Sequence, residues 1–388
     1  MSAAENEPRS VVASACRKAA VGEGVASSAA ERAARAGSGL SAASIHWGRR
    51  GAGAKPVAVT ERDRRLLALL HDVNYLSSSQ MALLGWGGDS TCTRRRLRLL
   101  HDRGLIEKFR PAAPAGSYEW NYRLTEEGWR MLSEHGMAAD RKLYKPADIH
   151  SIAYVEHDLQ VNALVLHLAH RGRAGEGPLL EEMPFAWHGP RSGEIDPREE
   201  QAPDGESELR SRLPRFFHGG SREGVIKPDA TLILGGQEPR QAVLLEYDRT
   251  TRPHKQLARL RRYDWFLTEG WTRGRFANHP VPPALVLVTL HESALHALVK
   301  AADETLTASR GQPEADRWQR RYVGRERIVF TTRERIFSGD FHMLRAPSEP
   351  PELRKLRDGD GRERFFAVPI EFDLIALSTG VVGSDADS

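Results

Sequence analysis

Residues 228–249 read PDATLILGGQEPRQAVLLEYDR, and the fold turns on this stretch. Two apolar runs within it, Pro228–Leu234 and Ala242–Asp248, have the length and aliphatic content of buried strands. They carry acids that an apolar strand does not ordinarily hold: Asp229 in the first, Glu246 and Asp248 in the second. Residues two apart on a strand share a face, so Glu246 and Asp248 point the same way. With the Asp229 strand paired alongside, three carboxylates converge. Buried like charges repel, and a hard divalent cation bound through oxygen is the usual resolution. The expectation is a catalytic metal site of Asp229, Glu246 and Asp248 with Mg²⁺ or Mn²⁺ as cofactor, positioning a water and polarising a phosphodiester.

Outward from this stretch the pattern runs helix, strand, strand, strand, helix, strand. A helix is expected over Ile149–His170, a strand over Leu179–Phe185, a helix from Pro253 to Leu267 and a strand over Ala284–Leu290. A charged segment from Gly189 to Gly224 reads as a disordered insertion. Arg327–Thr331 and Phe365–Ile370 are candidate strands within a partly loose C-terminal extension, 301–388. On the second helix Arg252, Lys255, Arg259 and Arg262 recur at helical spacing, and beside an acidic pocket such a stripe would track a DNA backbone. An ordinary solvated face has the same pattern. His157 shares a face with Val161, Leu164 and Leu168, the usual setting of a satisfied buried histidine, from which it could also line the pocket.

Upstream, residues 1–55 are rich in Ala, Ser and Gly with scattered Arg, and read as a disordered basic tail. Between residues 56 and 140 the pattern is three helices and a hairpin. Thr60 caps the first helix, with Leu66, Leu67, Leu69 and Leu70 as its apolar positions; Ser78–Leu84 fits a second, and Ser90–Arg103 a third that stops at Gly104. Leu105–Arg110 and Tyr118–Leu124 read as strands around a turn, and Glu126–His135 as a closing helix. That is a winged helix-turn-helix. In the third helix a 100° step puts Thr93, Leu97 and Leu100 on one face, Thr91, Arg95 and Arg98 opposite, and Arg94 on the flank. An apolar stripe backed by arginines is what a major-groove helix needs, and Arg110 with the following turn would reach an adjacent groove as a wing. A winged helix used for protein contacts is the other reading of these residues.

Net charge is only +4, but of the 56 Lys and Arg residues nine are Lys, which leaves 47 Arg. The planar guanidinium suits phosphate oxygens and guanine edges. Codon bias in a GC-rich genome accounts for the same excess, so position must decide. Cys16 and Cys92 are too few for a thiolate cluster or a disulfide framework. A mean hydropathy of −0.50, with no long apolar run and no compact apolar segment near Met1, leads to the expectation of a soluble cytoplasmic protein with no membrane association. His291-Glu292-Ser293-Ala294-Leu295-His296 imitates a zinc-protease motif, but spacing the histidines by five makes the rings diverge by about 140° on a helix.

The segment around residue 100, an arginine-rich helix followed by Arg-Gly-Leu-Ile-Glu, resembles winged-helix regulators. Pro228-Asp229, an apolar strand and then Glu246 resemble the PD-(D/E)XK nuclease superfamily, and the element order from Ile149 to Leu290 is similar to its core. The resemblance implies a restriction-endonuclease-like αβββαβ fold in which Asp229 and Glu246 are the motif acids. Asp248 stands where the motif has lysine, with Lys255 as a candidate migrated replacement; Gln256 and Tyr263 are similar to the glutamine and tyrosine that follow the motif in RecB-like nucleases. More closely, residues 60–300 resemble the replication-relaxation proteins of actinobacterial plasmids and mobile elements. The carrying residues are the first unit, Glu156-His157-Asp158-Leu159-Gln160-Val161-Asn162, Pro228-Asp229-Ala230 and Glu246-Tyr247-Asp248-Arg249.

The fold class expected is therefore α/β, α+β overall: a winged helix-turn-helix over 56–140 and a nuclease-like domain over 147–300. The function expected is a DNA-binding role in replication, relaxation or transfer of a mobile element. Relaxase or replication proteins are the expected partners, and the second domain is either a metal-dependent deoxyribonuclease or a degenerate one. The other reading is a transcriptional regulator that homodimerises or binds a partner through its second domain.

Overall fold

The computed structural model describes residues 45–51, 58–86, 89–111, 118–137, 149, 152–173, 175–190, 226–234, 241–249, 256–268, 270–273, 276–306, 322–351, 354 and 367–371. The chain is an α+β protein. Of the segment expected as an insertion, residues 191–224 lie outside the described residues.

In the first unit each helix starts where a side chain satisfies its free amides. Thr60 and Asp63 form a reciprocal capping box at the start of α1 (Glu61–Val73), which buries Leu66, Leu67, Leu70 and Val73. A short strand β2 (Tyr75–Ser77) leads into α2 (Ser78–Leu83), where Ser77 and Gln80 repeat the device. Asp89 accepts from the amides of Thr91 and Cys92 to open α3 (Ser90–Asp102), and Gly104 ends it at φ 84°. Strands β3 (Ile106–Pro111) and β4 (Asn121–Leu124) precede α4 (Glu126–Glu134), capped by Thr125.

The sheet here gains a strand that the sequence does not signal. Ile45–Trp47, inside the stretch expected to be a disordered tail, forms β1 and pairs antiparallel with β3, giving the order β1-β3-β4-β2. Three residues have no period to detect. What holds them is contact: Trp47 lies 5.6 Å from Phe109, and the Arg123 guanidinium lies 4.6 Å from the Trp47 ring centre.

The second unit begins with α5 (Ile152–Gly172) and continues through β5 (Phe185–His188), β6 (Ala230–Leu234), β7 (Gln241–Asp248), α6 (Leu257–Thr268) and β8 (Ala284–Thr289). This is the expected order of helix, three strands, helix and strand. One boundary is corrected: Leu179–Glu182 is a turn buried through Leu179 and Leu180, and the strand starts at Phe185. The C-terminal extension is also less loose than expected. After α7 (Glu292–Thr305) and the short α8 (Val323–Arg327), β9 (Ile328–Thr332), α9 (Arg333–Ser338), β10 (His342–Arg345) and β11 (Val368–Glu371) complete the sheet. Among the described residues its order is β11-β10-β9-β8-β7-β6-β5, with β7, β8 and β9 parallel and the remaining pairs antiparallel.

Strand alternation divides β7 between two cores. Val243, Leu245 and Tyr247 face α5, with Leu164, Val165 and Leu168, while Ala242 and Leu244 face α6 and α7 with Leu260, Tyr263, Phe266 and Leu298. The α5 core runs without a break into the first unit, through Leu66, Leu70, Leu97 and Leu100. Polar contacts accompany it: Asn162 Nδ2 donates to Tyr75 O at 2.8 Å, Gln80 Nε2 to Leu159 O at 2.7 Å, and Gly189 N to Asp72 O at 3.1 Å. A Cβ on Gly189 would lie 2.3 Å from that carbonyl oxygen, so only glycine permits the approach. No helix among the described residues is long and apolar enough to cross a membrane.

Candidate functional site

The β6–β7 register sets Ala230 opposite Leu245, which places Asp229, just before β6, across from Glu246 at the end of β7. Asp229 Oδ2 accepts from the Tyr247 amide at 2.8 Å and lies 3.3 Å from His157 Nε2. His157 reaches over from α5 and meets an acceptor at each nitrogen: Nδ1 is 3.3 Å from Asp158 Oδ1, and Nε2 is 3.0 Å from Tyr247 O. Burial alone would lower its pKa, but the Asp158 and Asp229 carboxylates and the Tyr247 carbonyl outweigh burial and raise it to about 10. The ring is therefore an imidazolium that donates on both sides at neutral pH. Asp158 in turn accepts from the Tyr75 hydroxyl at 2.8 Å, which ties this centre to the first unit.

Glu246 is almost wholly enclosed, with 2% of its surface exposed. Arg259 Nη1 donates to its Oε2 at 2.9 Å and the Tyr263 hydroxyl to its Oε1 at 2.5 Å. Burial, then the neighbouring Asp229 carboxylate, push its pKa up against the pull of Arg259 and Tyr263. Asp248, two residues on, is buried at the end of the same face. All three acids act on Arg259: Glu246 first, then Asp229 and, more weakly, Asp248 raise the guanidinium's pKa against its own burial.

The cation that the acids surround is thus a side chain. Both oxygens of Glu246 already take protein donors, and Asp229 Oδ2 is engaged by a backbone amide and an imidazolium. Among the described residues no group of three or more His, Cys, Asp or Glu side chains could hold a metal ion. Arg259 thereby takes the charge-balancing place beside Glu246 and Asp229 that a hard divalent cation would otherwise fill. Of the expected Mg²⁺ or Mn²⁺ site, Asp229 and Glu246 are brought together across β6 and β7, and Asp248 lies on the Glu246 face of β7. Arg259, expected on a DNA-facing stripe, is instead turned inward to Glu246, because a buried carboxylate without a partner would cost more than the lost solvent contact. Arg262 is half-buried on α6; Arg252 and Lys255 lie outside the described residues.

The first unit carries the second group of candidates. On α3, Thr91, Arg94, Arg95 and Arg98 are all exposed, while Thr93, Leu97 and Leu100 are fully buried. Arg96, between them, leaves this surface: its Nε donates to Asp63 Oδ1 at 3.0 Å and fixes α3 to the start of α1. Arg98 lies 3.7 Å from Asp102, and 80% of its side chain is exposed. Arg110 on β3 lies 4.6 Å from the Trp120 ring centre, and Lys108 5.0 Å from the same ring.

Sequence reasoning placed His157 as a buried histidine that could line the pocket, quoted Asp158 only within the segment carrying the family resemblance, and did not single out Tyr75. The adjacent acid of Glu156-His157-Asp158 is the available signal for the histidine's charge; Tyr75 has none, being a tyrosine in a three-residue strand. The pseudo-zinc motif is disposed of, since His291 precedes α7 as its cap residue and His296 lies on the helix, 4.0 Å from Glu292.

Compared with known protein families, the chain matches the family model described as replication-relaxation over residues 67–280, more than half its length. Comparison with curated proteins and with solved structures gave no match.

Proposed function

The chain belongs to the replication-relaxation family, and from that premise we propose that it is a DNA-binding protein acting in replication or relaxation of a plasmid or other mobile element. The first unit acts as a winged helix-turn-helix with α3 in the major groove. Thr91, Arg94 and Arg95, on its first turns, approach base edges, while Arg98 and the Arg110 wing neutralise phosphates. The observation that carries this reading is the clean division of α3 into a buried Thr93/Leu97/Leu100 face and an exposed arginine face. The second unit, whose element order is that of a restriction-endonuclease-like core, serves in this reading as a rigid platform that holds DNA without hydrolysing it. What supports this is that Glu246 is held by Arg259 and Tyr263, and Asp229 by His157 and the Tyr247 amide.

Fluorescence anisotropy on labelled duplex across a salt series tests the DNA-reading helix. Arg95→Ala/Arg98→Ala is expected to weaken binding and to flatten the slope of log K against log salt by about 0.9 for each lost phosphate contact. An unchanged slope and affinity would remove α3 from the interface.

A further inference from the structure

We infer that the N-terminal segment Arg49–Gly51 is a second nucleic-acid contact, a backbone-gripping arm that extends the arginine face of α3. The inference rests on the reading of α3 as the DNA helix. It comes from where the chain is anchored. Thr91, Arg95, Arg98 and Asp102 follow one line along α3, a run of about 16 Å. After Thr91 the line carries two cations and then ends on an acid, which would repel a phosphate backbone following it. That end is where the segment docks: Gly51 N donates to Asp102 Oδ1 at 3.0 Å, and this bond is the main reason the Asp102 carboxyl is held below its usual range.

The same segment is fixed at its other end. Ile45–Trp47 pairs with β3, with His46 opposite Arg110, and Gly48 N donates to Lys108 O at 2.9 Å. Gly48 matters here because a Cβ would lie 2.2–2.8 Å from the Lys108 stem, which lies flat across it. Arg49 and Arg50, between these two anchors, are exposed. The Arg50 guanidinium rests beside Gly104, the turn that ends α3; its Nη1 would be 3.1 Å from a Cβ there. The segment thus offsets the one acid on the line with two arginines and joins it to Lys108 and Arg110 on β3. A continuous cationic strip of this kind fits the regularly spaced charges of a nucleic-acid backbone.

The test uses the full chain and a labelled duplex over a salt series. Arg49→Ala/Arg50→Ala is expected to lower the salt slope by about 1.8, the loss of two phosphate contacts, with an unchanged melting temperature. Arg49→Lys/Arg50→Lys is expected to keep the wild-type slope, since charge and not packing is what the arm supplies. If the alanine pair keeps the wild-type slope while Arg95→Ala/Arg98→Ala lowers it, the arm is refuted and α3 stands. If neither pair changes the slope, both readings fall. If the lysine pair loses the slope as the alanine pair does, the arm does not act by charge and the inference is overturned.

Discussion

His157 lies between Asp158 and Asp229, 3.3 Å from each, and its charge is what allows two carboxylates to approach the same ring. The sign of the pH dependence follows. A histidine raised from 6.5 to about 10 contributes stability that is complete below pH 6.5 and is lost as pH climbs through about 10. Glu246 acts in the same direction: its folded pKa is raised above 4.5, so the fold binds its proton more tightly and loses that advantage as pH rises. Wild-type stability to urea is therefore expected to fall between pH 6.5 and 9. His157→Gln should cost about 3 kcal/mol at pH 6, because two acids are left facing a neutral side chain, and should flatten the decline. Parallel curves for the two proteins would mean that His157 is uncharged. At this scale the acids were legible, because carboxylates in aliphatic strands stand out. Their partner was not: whether Arg259 faces solvent or Glu246 depends on a rotation about one helix axis, and both faces of α6 carry arginines.

Caps and breakers made the elements easy to read. Thr60, Asp89, Thr125 and Gly104 each fix an end of α1, α3 or α4 by local hydrogen bonds that depend on residues within four positions. Short strands held by distant neighbours are the converse case, and β1, β2 and β10 escaped for that reason. Asp63 shows how one element fixes another. It closes the capping box of α1, is 1% exposed, and pairs with Arg96 of α3. Asp63→Ala is expected to destabilise by about 3 kcal/mol, since it removes a cap and strands a half-buried guanidinium. Asp63→Asn, which keeps the cap and loses the charge, should cost less. Urea denaturation of the two variants checks the order, and equal losses would show that the cap adds nothing beyond the ion pair.

The two sheets share the core behind α5, which includes Leu70 and Leu97 from the first unit and Val286 and Met343 from the second, while a second core fills the α6 and α7 side of the larger sheet. A pattern read segment by segment cannot show this, because α5 carries apolar residues all round and does not announce which neighbour each side meets. Calorimetry is expected to give a single cooperative transition in which both units melt together. Asn162→Ala, which leaves the Tyr75 carbonyl without its donor, should lower that transition by about 1–3 kcal/mol and not divide it. Two separate transitions would mean that the units fold independently. An arginine-faced helix stands on a platform in which Glu246 and Asp229 are paired with Arg259 and His157, and the proposed function is that this platform holds DNA without cutting it. The most direct measurement is incubation of the full chain with labelled duplex, forked and single-stranded DNA in Mg²⁺ or Mn²⁺, beside Glu246→Ala. Retarded but intact DNA is expected for both proteins in either metal. Metal-dependent cleavage by the wild type that Glu246→Ala abolishes would contradict it.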